Sequence, residues 1–355
     1  SNDTEQVGEN LLQALASDPT TSHLERMKLD RIEAWSLENA RKNILCAIED
    51  VEKNYPSNTI VVNFTGGTKI MSLAAYQVAM EMGLEMMYVN TEREILLEFD
   101  SSGKQKNAQP FRVAPSLKTL LLASGRVIDE TKTGGAEAID SKKKDLAVWI
   151  AKCYEDAVLE CLMPVQKSIQ EGLNNQKTAP FPPPYRVPLN PTTKGGKDAA
   201  QYLKEQSLWN LDGRTVSVEK NWWNFIGGGQ GNWLEIFSVA NLDFAKPKFD
   251  DVLGPVQLRG VTEIDAMACR NGRLAILECK LTGSKDEGGV TNLLGKLKEH
   301  EHLLGGLYGA AVFVRAYEDK KADGDLRRWA QEYGVTVVIG RELPNLADIV
   351  FKAVS

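Results

Sequence analysis

Asp265, Glu278 and Lys280 are the residues whose types and spacing could do the most chemistry. They end two short stretches, Thr262-Glu263-Ile264-Asp265 and Ile276-Leu277-Glu278-Cys279-Lys280. The Asn271-Gly272 pair between them is the strongest short signal for a two-residue type I′ hairpin turn, because both residues tolerate positive φ. Such a turn sets Arg270 opposite Arg273 and, counting back, Asp265 opposite Glu278. It also puts Lys280 across from Glu263, on the face that carries both acids. Opposed carboxylates repel unless a cation sits between them. Hard oxygens suit Mg²⁺ or Mn²⁺, a bound metal lowers the pKa of its water, and a nearby lysine steadies the hydroxide or the phosphorane-like charge. That is the equipment of metal-assisted phosphodiester cleavage. A surface ion-pair ladder on an amphipathic hairpin uses the same residue types, so the pattern alone leaves both readings open.

The elements around the hairpin must position these groups. Asn232 is placed to cap a helix in which Trp233, Ile236, Phe237 and Ala240 recur at helical spacing, after Gly231. Glu235 falls in its first turn, where an acid favours the helix dipole or serves as a further metal ligand. Downstream, residues 290–304 read as a helix carrying Lys296, Lys298, His300 and His302. A strand is expected at 309–314, a helix at 325–333 and a strand at 335–339. Helix, hairpin, helix, strand, helix, strand is an α/β order.

A second stretch with chemical potential lies near the other end. Residues 59–64, Thr-Ile-Val-Val-Asn-Phe, form a β-branched apolar run typical of a buried parallel strand. It runs into Thr65-Gly66-Gly67-Thr68-Lys69 and then a helical stretch at 70–82. A strand, a glycine turn and a helix N-terminus present free N–H groups to an anion, and paired glycines admit a ligand close to the backbone. The Walker A spacing is absent. An ordinary strand-to-helix turn of a doubly wound domain would look the same.

The sequence Asn63-Phe64-Thr65-Gly66-Gly67-Thr68-Lys69-Ile70-Met71-Ser72-Leu73-Ala74-Ala75 closely resembles the signature loop of CARF domains, Rossmann-like sensors of cyclic oligoadenylate in type III CRISPR defence. Asp265 with Glu278-Cys279-Lys280 resembles the PD-(D/E)xK nuclease core, and with Gly231-Asn232-Trp233-Leu234-Glu235 it resembles the nuclease half of CARF effector nucleases. The resemblance covers roughly residues 20–125 and 215–340. It implies a homodimer with a cyclic oligoadenylate, most simply cyclic tetra-adenylate, on the two-fold axis, touching Asn63 and the Thr65–Lys69 loop of both subunits. It implies cleavage of single-stranded RNA and DNA, with limited nicking of duplex DNA. Glu235, Asp265 and Glu278 would then ligate Mn²⁺ or Mg²⁺, the Cys279 carbonyl would add a ligand, and Lys280 would activate water. CARF domains normally begin with a strand whose following loop completes the ligand pocket. This chain instead opens on Ser1-Asn2-Asp3-Thr4-Glu5 and a helical 10–16, so that strand is expected to be missing. A ligand-sensing regulator with a degenerate nuclease domain, or a ligand-independent restriction-like nuclease, would share parts of these signatures; intact Asp265, Glu278 and Lys280 argue against degeneration.

Composition agrees with a soluble intracellular enzyme, and a cytoplasmic location is expected. The hydrophobic content of 43% suffices for buried cores, and no apolar run reaches membrane-spanning length. Five cysteines without a C-x-x-C pair read as reduced thiols, and His23, His300 and His302 make no zinc pattern. A net charge of −6 weighs against broad, sequence-independent nucleic-acid binding. A local cationic groove is expected from Lys285, Lys296, Lys298 and Arg315, while Lys142-Lys143-Lys144 reads as a solvated helix start. Trp222 and Trp223 precede Gly227-Gly228-Gly229-Gln230-Gly231 and suit either core packing or stacking on unpaired bases. The expected organisation is α/β throughout: a CARF-like Rossmann sensor at 1–123, a small helical connector at 124–213 and a restriction-endonuclease-like nuclease domain at 214–355. Within the connector, 145–173 and 198–208 read as helices, and 180–184 and 193–196 as loop.

Overall fold

The computed structural model describes residues 2–25, 32–33, 35–129, 133, 139–175, 183–228, 232–245, 248–259, 263–281, 287–305 and 309–355. Thr262, Lys285, the stretch 180–182 and the glycine run at 229–231 lie outside the described residues. The chain forms two compact units, His23–Val113 and a larger one made of Ser1–Ser22 with Ala114–Ser355. Helix α1 (Asn2–Ser17) therefore belongs to the larger unit.

The smaller unit contains α2 (Leu37–Asn54), β1 (Val61–Asn63), α3 (Lys69–Met82), β2 (Glu85–Asn90), β3 (Ile95–Phe99) and β4 (Gln105–Pro110). Its sheet runs β1-β2-β3-β4, with β1 and β2 parallel and the remaining pairs antiparallel. Ser36 starts α2 by accepting the Asn39 N–H, and Gly83 stops α3 in the left-handed region at φ 67°. Ala74, Val78 and Ala79 of α3 are buried, as is Met86 on β2. Phe64, the residue after β1, packs its ring against Tyr76, Tyr88 and Phe99 at centroid distances of 5.4–5.7 Å. This apolar anchor fixes where the glycine turn leaves the sheet.

In the larger unit α1 packs against α4 (Leu117–Ala123). Then come α5 (Ser141–Lys152), a π-helical stretch Tyr154–Leu162 and α6 (Met163–Asn175), a nearly continuous helical rod where one long helix was expected. The stretch expected to be helical also carries strands. β5 (Tyr185–Pro188), α7 (Lys194–Glu205), β6 (Asn210–Asp212) and β7 (Thr215–Val218) make a three-stranded antiparallel sheet in the order β5-β7-β6. The expected loop at 193–196 is instead the start of α7, because the Thr193 hydroxyl accepts the Gly196 N–H as an N-cap.

After α8 (Lys220–Trp223) and α9 (Trp233–Phe244) follow β8 (Asp251–Leu253), β9 (Ala266–Arg270), β10 (Arg273–Lys280), α10 (Glu287–Gly305), β11 (Ala310–Arg315), α11 (Lys320–Tyr333), β12 (Thr336–Ile339) and α12 (Leu346–Ala353). The five-stranded sheet has the order β12-β11-β10-β9-β8, parallel from β10 to β12 and antiparallel from β8 to β10. This is the α/β order expected from the sequence. Both faces are covered. Ala275, Leu277 and Cys279 of β10 enter a core shared with α5, α6, α9 and α12, whereas Leu274 and Ile276 enter one shared with α4, α10 and α11. A strand buried on both faces reads as an apolar run, and polarity returns only at Glu278 and Lys280. No helix of the described residues is long and apolar enough to cross a membrane.

The Tyr154 hydroxyl ties the π-helical stretch to the end of β11. It donates to the Ala316 carbonyl at 2.8 Å and accepts the Glu318 N–H at 3.2 Å. Ala316 N–H in turn donates to the Lys280 carbonyl at 3.0 Å. Tyr154→Phe leaves two backbone groups without that partner and should lower unfolding stability by about 1–3 kcal/mol. Equilibrium denaturation measures this, and an unchanged midpoint would remove the hydroxyl from the fold's support.

Candidate functional site

The β9–β10 turn has the expected form. Asn271 and Gly272 adopt φ 48° and 77°, and Arg270 faces Arg273. The antiparallel ladder ends at Ala266–Leu277, one pair short of the acids. Ile264 leaves it to exchange backbone hydrogen bonds with Val256 at 2.8 and 2.9 Å. Asp265 therefore sits in a bend, and its Oδ2 accepts the Cys279 backbone N–H at 2.6 Å. Lys280 pairs in register with Arg315 of β11, not with Glu263 as expected, because that departure from the ladder precedes Glu263.

The three predicted residues nevertheless converge. Lys280 Nζ lies 2.5 Å from Glu278 Oε1 and 3.9 Å from Asp265 Oδ2. Glu235 enters from α9, held by its cap: Asn232 Oδ1 accepts the N–H groups of Leu234 and Glu235, and Asn232 Nδ2 donates to Glu235 Oε1 at 2.5 Å. Ser238, one turn further along α9, meets the Cys279 Sγ at 3.3 Å. Sequence reasoning missed Ser238, whose signal is its i+3 spacing from Glu235.

Burial and crowded charge together set the electrostatics. Burial raises the Asp265 carboxyl, the Glu278 charge raises it further and Glu235 adds to this; Lys280 and the Cys279 N–H oppose them, leaving it at about 7. Burial and the Asp265 charge hold the Cys279 thiol well above its ordinary range, so its sulfur stays protonated. For Lys280, burial acts downward, but Asp265 and Glu278 outweigh it and raise the ammonium. Lys280 is therefore a fixed cation among acids. Among the described residues, no three His, Cys, Asp or Glu side chains already form a metal cage. The donor chemistry still fits a hard divalent cation: Asp265, Glu278 and Glu235 offer carboxylate oxygens, and their mutual repulsion is relieved by added positive charge.

The expected cationic groove is only partly realised. Arg315 is 2% exposed and ion-paired with Asp323, since α11 covers the end of β11. Lys298 pairs with Glu301 at 2.6 Å, Lys296 is exposed, and His300 and His302 lie on the same helix α10. Asp140 caps α5 by accepting the Lys143 N–H, confirming a helix start, but Lys143 is half-buried with its Nζ 5.8 Å from the Trp222 ring centroid. Trp223 packs in the core against Tyr185. Lys143, Asn221, Asn224, Phe225, Glu235 and Pro255 help line a cleft of about 440 Å³. Sequence reasoning did not single out Asn221 and Asn224.

In the smaller unit the glycine turn is pre-shaped. Asn63 Oδ1 accepts the Thr65 N–H at 3.0 Å, and Thr65 Oγ1 accepts the Val89 N–H at 2.7 Å. Thr68 caps α3 by accepting the Met71 N–H, and Ser72 Oγ donates to the Gly66 carbonyl at 3.0 Å. Gly67 has φ 86°, and a Cβ there would meet Met71 at 3.1 Å. Gly66 through Lys69 are exposed, so the turn and the N-terminus of α3 face solvent.

Residues 2–114 match the family model described as Card1 CARF domain, and residues 226–354 match that described as Card1-like, endonuclease domain. Among solved structures the chain is similar to protein VC1899 from Vibrio cholerae, at 17% identity and TM-score 0.73, covering 97% of this chain and 88% of that one. It is also similar to Can2 from Sulfobacillus thermosulfidooxidans, solved in complex with cyclic tetra-adenylate, at 16% identity and TM-score 0.69, covering 99% and 87%. At these identities the likeness is one of fold. No curated protein matches the chain.

A carboxyl raised from 3.8 to about 7 keeps its proton longer in the folded state, so its contribution favours folding at acid pH and is lost as pH rises between those values. Without metal, Asp265→Asn should match the wild type in thermal midpoint near pH 4 and exceed it increasingly up to about pH 8. Thermal melts across this range in chelator test the sign; a gap of constant size would contradict it.

Proposed function

The chain belongs to the Card1-like family that joins a CARF domain to an endonuclease domain, and from that membership we propose a ligand-gated nuclease of type III CRISPR defence. A cyclic oligoadenylate on the Thr65–Lys69 turn switches on metal-dependent cleavage of single-stranded RNA or DNA, with nicking of duplex DNA a lesser activity. The observation that carries this reading is the convergence of Asp265, Glu278 and Lys280 at the end of β10, with Asp265 pushed up to about 7 by burial and its acidic neighbours. The complex of Can2 with cyclic tetra-adenylate supports a ring of four as the activator.

Asp265 and Glu278, with Glu235 and the Cys279 carbonyl, would hold Mn²⁺ or Mg²⁺. When bound, such an ion supplies a Lewis acid and a water of lowered pKa. The chain's own groups do the rest. The Cys279 N–H fixes the Asp265 carboxylate, and Asn232 orients Glu235. Lys280 stays protonated, so its part in activating water is electrostatic: it steadies hydroxide and the charge gathering on phosphate oxygens. In the sensor, the exposed N–H groups of the turn and the Lys69 ammonium receive phosphate. A homodimer offers two such turns to one ring, and binding biases an equilibrium between arrangements of the nuclease domains.

Labelled single strands incubated with Mn²⁺, with and without cyclic tetra-adenylate, test the reading. Cutting should need both additions, and Asp265→Asn or Glu278→Ala should abolish it. Full-rate cutting by Glu278→Ala would contradict the site. Lys280→Ala should keep metal affinity and lose turnover.

The coupling is tested by activator titrations. Lys69→Ala removes a charge-assisted contact of about 1–3 kcal/mol and should raise the activator concentration needed for half-maximal cutting, with the metal requirement unchanged. Gly67→Val should do worse, since it forces a β-branched residue into positive φ against Met71. Superimposable curves would return the turn to a purely structural role.

A further inference from the structure

The cleft beside the carboxylates is built from separate parts of the larger unit. Lys143 comes from α5, Asn221 from α8, and Asn224 and Phe225 from the π-helical turn Asn224–Gly228 that follows. Pro255 lies just after β8, and Glu235 of α9 lines the cleft while also acting on Asp265. Its volume of about 440 Å³ is of ligand size. Phe225 is buried and gives an apolar wall.

Asn221 and Asn224 are exposed, one helical turn apart, and neither side-chain amide has a hydrogen-bond partner among the described residues. Each amide carries an acceptor oxygen and a two-proton donor, the combination that matches the edge of a base. The Glu235 carboxylate repels a phosphate but accepts from an exocyclic amine. Half-buried Lys143 brings a positive charge beside the Trp222 ring, 5.8 Å from its centroid. Asp140 Oδ1, also on the lining, caps α5 by accepting the Lys143 N–H. An apolar wall, two exposed amides, a carboxylate and an ammonium lining one cleft are the kinds of group that receive the base and the phosphate of a nucleotide.

We propose that this cleft is a subsite for one unpaired nucleobase of the strand being cut, with Asn221 and Asn224 reading its polar edge and Lys143 holding an adjacent phosphate. The proposal rests on the nuclease reading above and deepens it. A base can enter only when it is not stacked and paired, so the subsite favours single strands. Because Glu235 belongs to both places, the base in the cleft flanks the scissile phosphate.

The test uses the full chain with activator and Mn²⁺ on short single strands, varying one base at a time on each side of the cleavage point. Asn221→Ala combined with Asn224→Ala should raise KM about tenfold for the preferred base, flatten the preference at one position and change kcat less than about twofold. Lys143→Ala should raise KM for all bases alike. Unchanged KM and base preference in a wild type that cuts would overturn the subsite and leave the nuclease standing. Oligonucleotide binding to the Asp265→Asn protein, followed by fluorescence anisotropy, reads the subsite without cleavage. Weaker binding on adding the two Asn→Ala changes would support it even if the wild type cut nothing, and equal binding would overturn it.

Discussion

A carboxylate held where it is least comfortable underlies the whole arrangement. Asp265 lies in a bend at the mouth of a sheet buried on both faces, next to Glu278 and within the field of Glu235. Such a group takes up a proton, recruits a cation or unfolds its surroundings. The fold keeps it in place with a 2.6 Å bond from the Cys279 N–H and the nearby Lys280 ammonium. Two elements of the larger unit serve this placement. The β10 strand must be apolar on both faces to hold its end fixed, and α9 must begin at Asn232 for Glu235 to be oriented.

Both sites use the place where a strand gives out. In the larger unit, the ladder ends at Ala266 and the freed N–H of Cys279 is taken by a carboxylate. In the smaller unit, β1 ends at Asn63, and the turn hands its N–H groups to Asn63, Thr68 and solvent at the start of α3. Regular pairing would satisfy those groups internally and leave nothing for a ligand. The sheet supplies rigidity and its frayed end leaves polar groups accessible, which is why the candidate site residues lie close to strand termini.

Much of this was legible in the sequence, for physical reasons that differ by element. The hairpin was, because Asn271 and Gly272 tolerate a backbone few residues accept. The α9 start was, because Asn232 is a good cap, and the glycine turn was, because paired glycines between a β-branched run and a helix have few alternative structures. The end of the ladder was not. It depends on Ile264 preferring Val256, a bridge between segments that carry no periodic pattern. Arg315 was misjudged as a groove cation because strand alternation alone does not reveal Asp323 arriving above it from α11. The sheet β5-β7-β6 escaped notice since strands of three or four residues are too short to show a period. The cleft of Lys143, Asn221 and Asn224 was also hidden, because segments far apart in the chain assemble it.

The central claim is that a divalent cation relieves the charge strain centred on Asp265. Calorimetric titration of Mn²⁺ into the metal-free protein, in buffers of different ionisation enthalpy, counts the protons released. At about pH 6 the carboxyl at about 7 is largely protonated, so binding should release close to one proton, falling to none by about pH 9. Asp265→Asn should release none at either pH. Mn²⁺ binding with no proton release at pH 6, or no binding at all, would contradict the account.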